Sequence, residues 1–122
     1  MSADNKKKGK EGEDIANDFL LKKGYKIIGR NYRFGKGEID IIAQTGELLV
    51  FVEVKSRKND EFGRPEYAIT QSKQKQIIRI AKAYLYENEI RNVQCRFDVV
   101  AISFEKKNNP NINHIENAFI EM

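Results

Sequence analysis

Residues 37–55, GEIDIIAQTGELLVFVEVK, constrain this chain more than any other stretch. Thr45-Gly46, with alternating apolar residues on either side, reads as a two-residue turn joining two strands. A turn centred there sets Ile39 opposite Val52, Ile41 opposite Val50 and Ala43 opposite Leu48. Opposed residues of an antiparallel pair share a side of the sheet. One side then carries only Ile39, Ile41, Ala43, Leu48, Val50, Val52 and Val54. The other has Ile42, Leu49 and Phe51 near the turn and collects Glu38, Asp40, Glu53 and Lys55 toward the open end. Burying unpaired charge is costly, so three carboxylates and an ammonium together on a face that a helix should cover read as a site.

In this register Asp40 faces Phe51 and Glu53 is its diagonal neighbour, with backbones about 7–8 Å apart. Side chains converging from that spacing can share one hard cation, since Mg²⁺–oxygen bonds are about 2.0–2.1 Å long. Lys55, two residues beyond Glu53 on the same face, can hold a water or meet a phosphate beside the metal. A one-residue slip would separate these groups, and the continuous apolar opposite face argues against it.

Asp40 followed after twelve residues by Glu53-Val54-Lys55 resembles the D…E-x-K core of the PD-(D/E)xK nuclease superfamily. Further stretches, in order, are Gly9 to Glu13 as GxxGE, RNYR at Arg30 to Arg33, GEIDIIA, VFVEVKSR, Phe62-Gly63, a helix over 73–85 and RFDVV at 96–100. Together they resemble the YraN family of small bacterial proteins, itself similar to archaeal Holliday-junction resolvases. The resemblance implies a restriction-endonuclease-like αβββαβ core, with a mixed central sheet flanked by helices. It also implies hydrolysis of DNA phosphodiesters, branched or structured DNA included, with Mg²⁺ or Mn²⁺ as cofactor. Asp40, Glu53 and the Val54 carbonyl would hold the metal, and Lys55 would orient the attacking water or stabilise developing charge. Glu13, an N-terminal-helix glutamate, would join or extend the metal site. Its other reading is a first-turn residue complementing the helix dipole.

The 122 residues make one domain, with residues 1–10 as a disordered basic tail and 11–122 as the nuclease-like unit. A net charge of +4 and a pI near 9.1 are compatible with a nucleic-acid partner without identifying one, and the resemblance implies DNA before RNA. No apolar run reaches membrane-spanning length, and the polar start offers no secretory signal. Cys95 has no partner for an internal disulfide, which fits the cytoplasm.

Residues 11–23 read as a helix with Ile15, Ala16, Phe19 and Leu20 as its apolar stripe and Gly24 just past its end. Residues 25–32 read as a first strand. Arg30, Arg33 and Lys36 flank the turn after it, where they can bind phosphate or form surface ion pairs. Residues 56–65 read as a mobile loop whose Arg57, Lys58 and Arg64 can reach a nucleic-acid backbone. A second helix spans 67–89, with Ile77, Ile80, Ala81, Tyr84 and Leu85 facing the core. Lys73 and Gln74 open it, where backbone N–H groups favour anions, and the resemblance puts them near the scissile phosphate. Residues 93–104 read as an interior strand in which Asp98 pairs with an arginine. Cys95 reads as a core or half-buried residue. Residues 113–120 read as an edge strand, with His114 a surface residue. A two-fold dimer would double the basic surface. The competing reading is a nucleic-acid- or partner-binding module without catalysis.

Overall fold

The computed structural model describes residues 3–57, 69–104 and 109–120. Helix α1 (Ala3–Lys22) precedes three strands, β1 (Lys26–Phe34), β2 (Gly37–Thr45) and β3 (Leu48–Arg57). Helix α2 (Gln71–Glu87) then leads to β4 (Cys95–Ser103) and β5 (Asn111–Phe119). The five strands form one mixed sheet in the order β1-β2-β3-β4-β5. Neighbours are antiparallel except β3 and β4, which run parallel. Antiparallel neighbours need only tight turns, whereas the parallel step needs a crossover, and α2 supplies it. The αβββαβ order and the edge position of β5 agree with the sequence pattern.

Both faces of the sheet are buried. Ala16 and Leu20 of α1 pack on Ile41, Ala43, Val50, Val52, Val100 and Ile102. On the opposite face, Ile77, Ile80 and Ala81 of α2 pack on Ile42, Leu49, Phe51 and Phe97. Phe51, Phe97 and Phe119 stack across β3, β4 and β5 with centroids 5.7 and 5.1 Å apart, which fastens the edge strand.

Helix α1 begins at Ala3, so the stretch to Lys10 read from sequence as a tail is helical here. Its Lys, Ala and Glu residues are good helix formers, so the helix extends beyond the turns that carry an apolar stripe. The end after Lys22 is closed by Tyr25 N–H donating to Leu20 O and Gly24 N–H donating to Leu21 O, at 2.9 and 3.0 Å. This is a Schellman closure, and Leu20 and Tyr25 are both buried in the core.

The hairpin differs from its predicted register by two residues. Thr45 pairs with Leu48, Ala43 with Val50 and Ile41 with Val52, so Gly46-Glu47 forms the turn. Gly46 takes φ +58, which glycine adopts without steric cost. An even shift preserves the face of every side chain, but it changes who opposes whom. Phe51, expected opposite Asp40, pairs with Ile42 instead, and Asp40 and Glu53 lie just beyond the last pair, Ile41–Val52. The predicted apolar face also breaks at one point. Ile39 joins the cluster beneath α2 while Ile41 joins the one beneath α1, so alternation fails across Asp40. Between the pairs Arg30–Ile41 and Tyr32–Ile39, the residue of β1 level with Asp40 is Asn31, at φ +55. Asparagine tolerates this left-handed geometry better than most residues. The sheet is thus distorted at the level of its buried acid.

Candidate metal centre

The paired register of β2 and β3 ends at Ile41–Val52. Beyond it, Val54 N–H donates to Asp40 Oδ2 at 2.8 Å in place of a backbone carbonyl. A strand residue turns its N–H and C=O toward the same neighbour, so the Val54 carbonyl is directed into the same gap. Asp40 is partly buried, and Glu53 is only 7% exposed. Among the described residues, no hydrogen bond or ion pair engages the Glu53 carboxylate.

Glu13 reaches this point because α1 presses onto β3 at Gly12. A β-carbon on Gly12 would lie 1.9 Å from Ser56 Oγ. This close approach, available only to glycine, carries the next residue of the helix to the sheet. The Asn31 side chain lies near enough to favour the charged form of the Glu13 carboxylate. Carboxylate oxygens of Glu13, Glu38 and Asp40 all lie within 4.8 Å of one another.

The electrostatics follow from this crowding. Burial first, and then the charge of Glu53, push Asp40 up to about 8, against the lowering effect of the Val54 N–H. Burial also raises Glu53, opposed by the nearby Lys73 and Lys55 ammonium groups. Glu13 is raised by burial and by Glu38, with Arg30 and Asn31 opposing. Such a cluster is relieved by taking up protons or a cation. Carboxylate oxygens are hard ligands, suited to Mg²⁺ or Mn²⁺. The donor set therefore fits the cofactor expected from the sequence.

The structure brings Asp40, Glu53, Lys55, Val54 and Glu13 to the open end of the hairpin, with Lys73 beside Glu53. The backbone N–H of Lys73 is taken by the N-cap Thr70 Oγ1 at 3.1 Å, which leaves the ammonium to act. Gln74 turns its amide to the Ile69 carbonyl at 3.2 Å, outside the cluster. Arg30 is paired with Asp14 of α1 at 2.8 Å, and Arg33 with Glu38 at 3.1 Å, so both make the surface ion pairs that the sequence left open. Lys36 is exposed in the β1–β2 turn. Arg57 ends β3, its carbonyl accepting from Phe104 N–H at 2.8 Å. Lys58 and Arg64 lie outside the described residues, as does most of the predicted mobile loop.

Three features escaped the sequence reading. Asn31 is one; its only signal is a residue type that tolerates positive φ. The second is Gln76, whose amide lies so close over Gly37 that a β-carbon there would come within 2.9 Å. The third corrects the placement of His114. Its side chain is 3% exposed, and Nε2 lies 2.7 Å from Asp98 Oδ2. Lys23 Nζ lies 2.8 Å from Nδ1, so Nδ1 is the acceptor and Nε2–H the donor. Asp98 also accepts two hydrogen bonds from Arg96, each 2.8 Å, and one from Asn117 N–H at 3.0 Å. Burial acts against its charge, but His114, Arg96 and Asn117 N–H outweigh it and hold the carboxyl below its ordinary range. The predicted Asp98–arginine contact is present. Cys95, by contrast, is exposed where a core or half-buried position was predicted, because it opens β4 before the strand enters the core.

No helix among the described residues is long and apolar enough to cross a membrane. Residues 12–102 match the sequence profile of the uncharacterised protein family UPF0102. A UPF0102 protein of Natranaerobius thermophilus is 49% identical over 117 residues, covering 94% of this chain and 98% of the relative. One from Clostridioides difficile is 47% identical over 115 residues, covering 94% and 98%. One from Thermodesulfovibrio yellowstonii is 47% identical over 111 residues, covering 91% and 94%.

Proposed function

The chain belongs to the UPF0102 (YraN) family, and we propose that it is a Mg²⁺- or Mn²⁺-dependent nuclease that hydrolyses phosphodiester bonds in DNA, branched or structured DNA included. One observation carries this reading. Where the β2–β3 pairing ends, the carboxylates of Glu13, Glu38 and Asp40 converge within 4.8 Å and the buried Glu53 side chain adds its charge to that of Asp40. An arrangement that costs stability in the free protein is expected where a ligand offsets the cost.

Asp40, Glu53 and the Val54 carbonyl would hold the cation, with Glu13 in reach. When bound, it would lower the pKa of a coordinated water and polarise the phosphate. The protein's own groups do the rest. Lys55 and Lys73 flank Glu53, where their ammonium charges can orient water and offset charge that builds on the phosphoryl oxygens. Val54 N–H keeps one oxygen of Asp40 in place, which orients the other. Arg33, with its side chain 81% exposed, and Lys36 lie at the rim, where a DNA backbone would pass.

Cleavage of linear, flapped and four-way-junction DNAs in Mg²⁺, Mn²⁺ or EDTA, with Glu53→Ala in parallel, tests this. The reading requires cutting that depends on metal and is lost in the variant. Metal-independent DNA binding without cleavage of any substrate, unchanged in Glu53→Ala, would instead identify a binding module on this fold.

A further inference from the structure

The outward face of α2 carries Lys75, Arg79 and Lys82, all exposed, at positions i, i+4 and i+7. Residues three or four apart on a helix are neighbours, and like charges at that spacing are destabilising. No acidic residue of the chain stands three or four positions from any of the three. A solvated helix face interleaves both signs of charge, whereas this one concentrates a single sign. The first turn carries Lys73 and no acid, so the helix dipole is left uncompensated as well. Neither Lys75 nor Arg79 makes an ion pair or side-chain hydrogen bond with another described residue.

Between these cations the surface is apolar. Two adjoining hollows, each of about 350 Å³, run along α2 beside the end of β5 and share Ile78, Lys82 and Ile120 as lining. Lys75 and Arg79 stand at the wall of one, while Leu85 and Val93 line the other. Ile120 is 60% exposed and Val93 39%, so the groove offers apolar surface to solvent. Among the described residues that line it, Lys75, Arg79 and Lys82 are the charged ones. No residue of the metal centre takes part.

The chemistry of the groove selects its occupant. A second copy of the chain presenting the same face would set three cations against three. A nucleic-acid backbone is held through Lys, Arg, hydroxyl and N–H donors and gains nothing from an isoleucine floor. Stacking of its bases needs open aromatic faces, and Phe51, Phe97 and Phe119 in the groove are at most 8% exposed. A protein segment that sets carboxylates beside bulky apolar side chains matches both features. We propose that this groove is a docking site for a short acidic segment of a partner protein, with leucine or phenylalanine side chains seated over Ile78 and Ile120 and carboxylates meeting Lys75, Arg79 and Lys82. The desolvated apolar anchors would supply most of the affinity, and the cations would steer and orient the segment. Because the groove shares no residue with the metal centre, a partner held there leaves the cluster around Asp40 open.

The test is fluorescence anisotropy of a short fluorescein-labelled peptide, one leucine and one phenylalanine among aspartates and glutamates, titrated with the full chain. The parent should bind it, more weakly as salt rises. Arg79→Glu should weaken binding by about ten-fold or more, because it sets like charges against each other. Ile120→Ser should weaken it by about five-fold, through lost apolar burial. The same peptide with serine in place of both apolar residues should bind the parent about ten-fold more weakly. Both substituted positions are exposed, and a circular dichroism melt verifies that each variant is folded. No binding by the parent, equal affinity for the serine peptide, or binding that neither substitution alters would overturn the inference. If the peptide fails and a duplex oligonucleotide binds in a manner that Arg79→Glu abolishes, the surface is a nucleic-acid track and the inference is likewise overturned.

Discussion

Val54 N–H donates to Asp40 Oδ2 at 2.8 Å, where an unbroken hairpin would have used a backbone carbonyl. The acid thus satisfies a main-chain donor while it occupies the gap between β2 and β3. An asparagine at this position can accept the same hydrogen bond with its amide oxygen but carries no charge. Asp40→Asn should therefore keep the fold and, at pH 8 in EDTA, melt at or above the parent's temperature, since it removes the penalty of ionising a crowded acid. Its Mn²⁺ affinity should fall by more than ten-fold, as measured by calorimetric titration.

The raised acids have a consequence for stability. Asp40, raised to about 8, holds its proton in the folded protein over a range where the unfolded chain, near 3.8, has lost it. The folded state then binds more protons, so stability falls as pH rises from about 4 to about 8. Glu13 and Glu53 are shifted in the same direction. Melting temperature in EDTA should decline across that window, and Asp40→Asn should flatten the decline. Mn²⁺ should raise the melting temperature more at pH 8 than at pH 5, because binding must displace protons.

The network around Asp98 acts in the opposite direction and elsewhere in the molecule. Its depressed pKa supports the fold above the ordinary carboxylate range and is lost as pH falls below about 4. Asp98→Ala leaves Arg96, whose side chain is 18% exposed, and buried His114 without their acceptor. It should cost about 3–5 kcal/mol in urea denaturation while leaving the parent's Mn²⁺ stoichiometry intact in whatever fraction remains folded.

Two glycines of α1 should respond oppositely to alanine. Gly9 has open space around it, so Gly9→Ala should stabilise by about 0.5–1 kcal/mol through helix propensity. At Gly12 the new β-carbon would meet Ser56 Oγ at 1.9 Å and its β-carbon at 3.2 Å. Gly12→Ala should destabilise by about 1–3 kcal/mol and weaken Mn²⁺ binding by lifting Glu13 off the sheet. Adding Ser56→Gly should restore much of both losses; no recovery in urea melts would show that the contact is not what matters.

Asn31 combines a backbone and a side-chain role that two variants can separate. Asn31→Gly tolerates φ +55 but loses the amide that favours the charge of Glu13, so it should stay folded and lose Mn²⁺ affinity. Asn31→Val loses both, and should add about 1–2 kcal/mol of destabilisation from the left-handed geometry. Equal Mn²⁺ affinity in the parent and Asn31→Gly would remove the positioning role.

Much of the fold was legible because strand and helix periodicities are written in neighbouring residues. The alternation around Ile41, Ala43, Val50 and Val52 assigned faces correctly, and the α1 stripe of Ala16 and Leu20 found its core. The turn centre was misplaced by one position, since Gly46 lies in both Thr45-Gly46 and Gly46-Glu47 and local pattern favours neither. An even register shift keeps every face, so the cluster was predicted and its spacing was not. Ile39 was assigned to the wrong side because the break at Asp40 depends on Asn31, which lies on another strand.

The sequence by itself determined which groups would stand at the open end of the hairpin: Asp40, Glu53 and Lys55 all lie on the far side of the apolar pairs from the turn, whichever even register the turn selects. Only the tertiary structure decided their partners. Glu13 arrives through a helix–strand contact at Gly12 and Ser56, Glu38 is held by Arg33, and His114 turns inward to Asp98 from an edge strand. Those outcomes depend on ångström-scale distances between elements far apart in the chain. Charge interactions vary steeply at that range, and periodicity along the sequence carries no record of it.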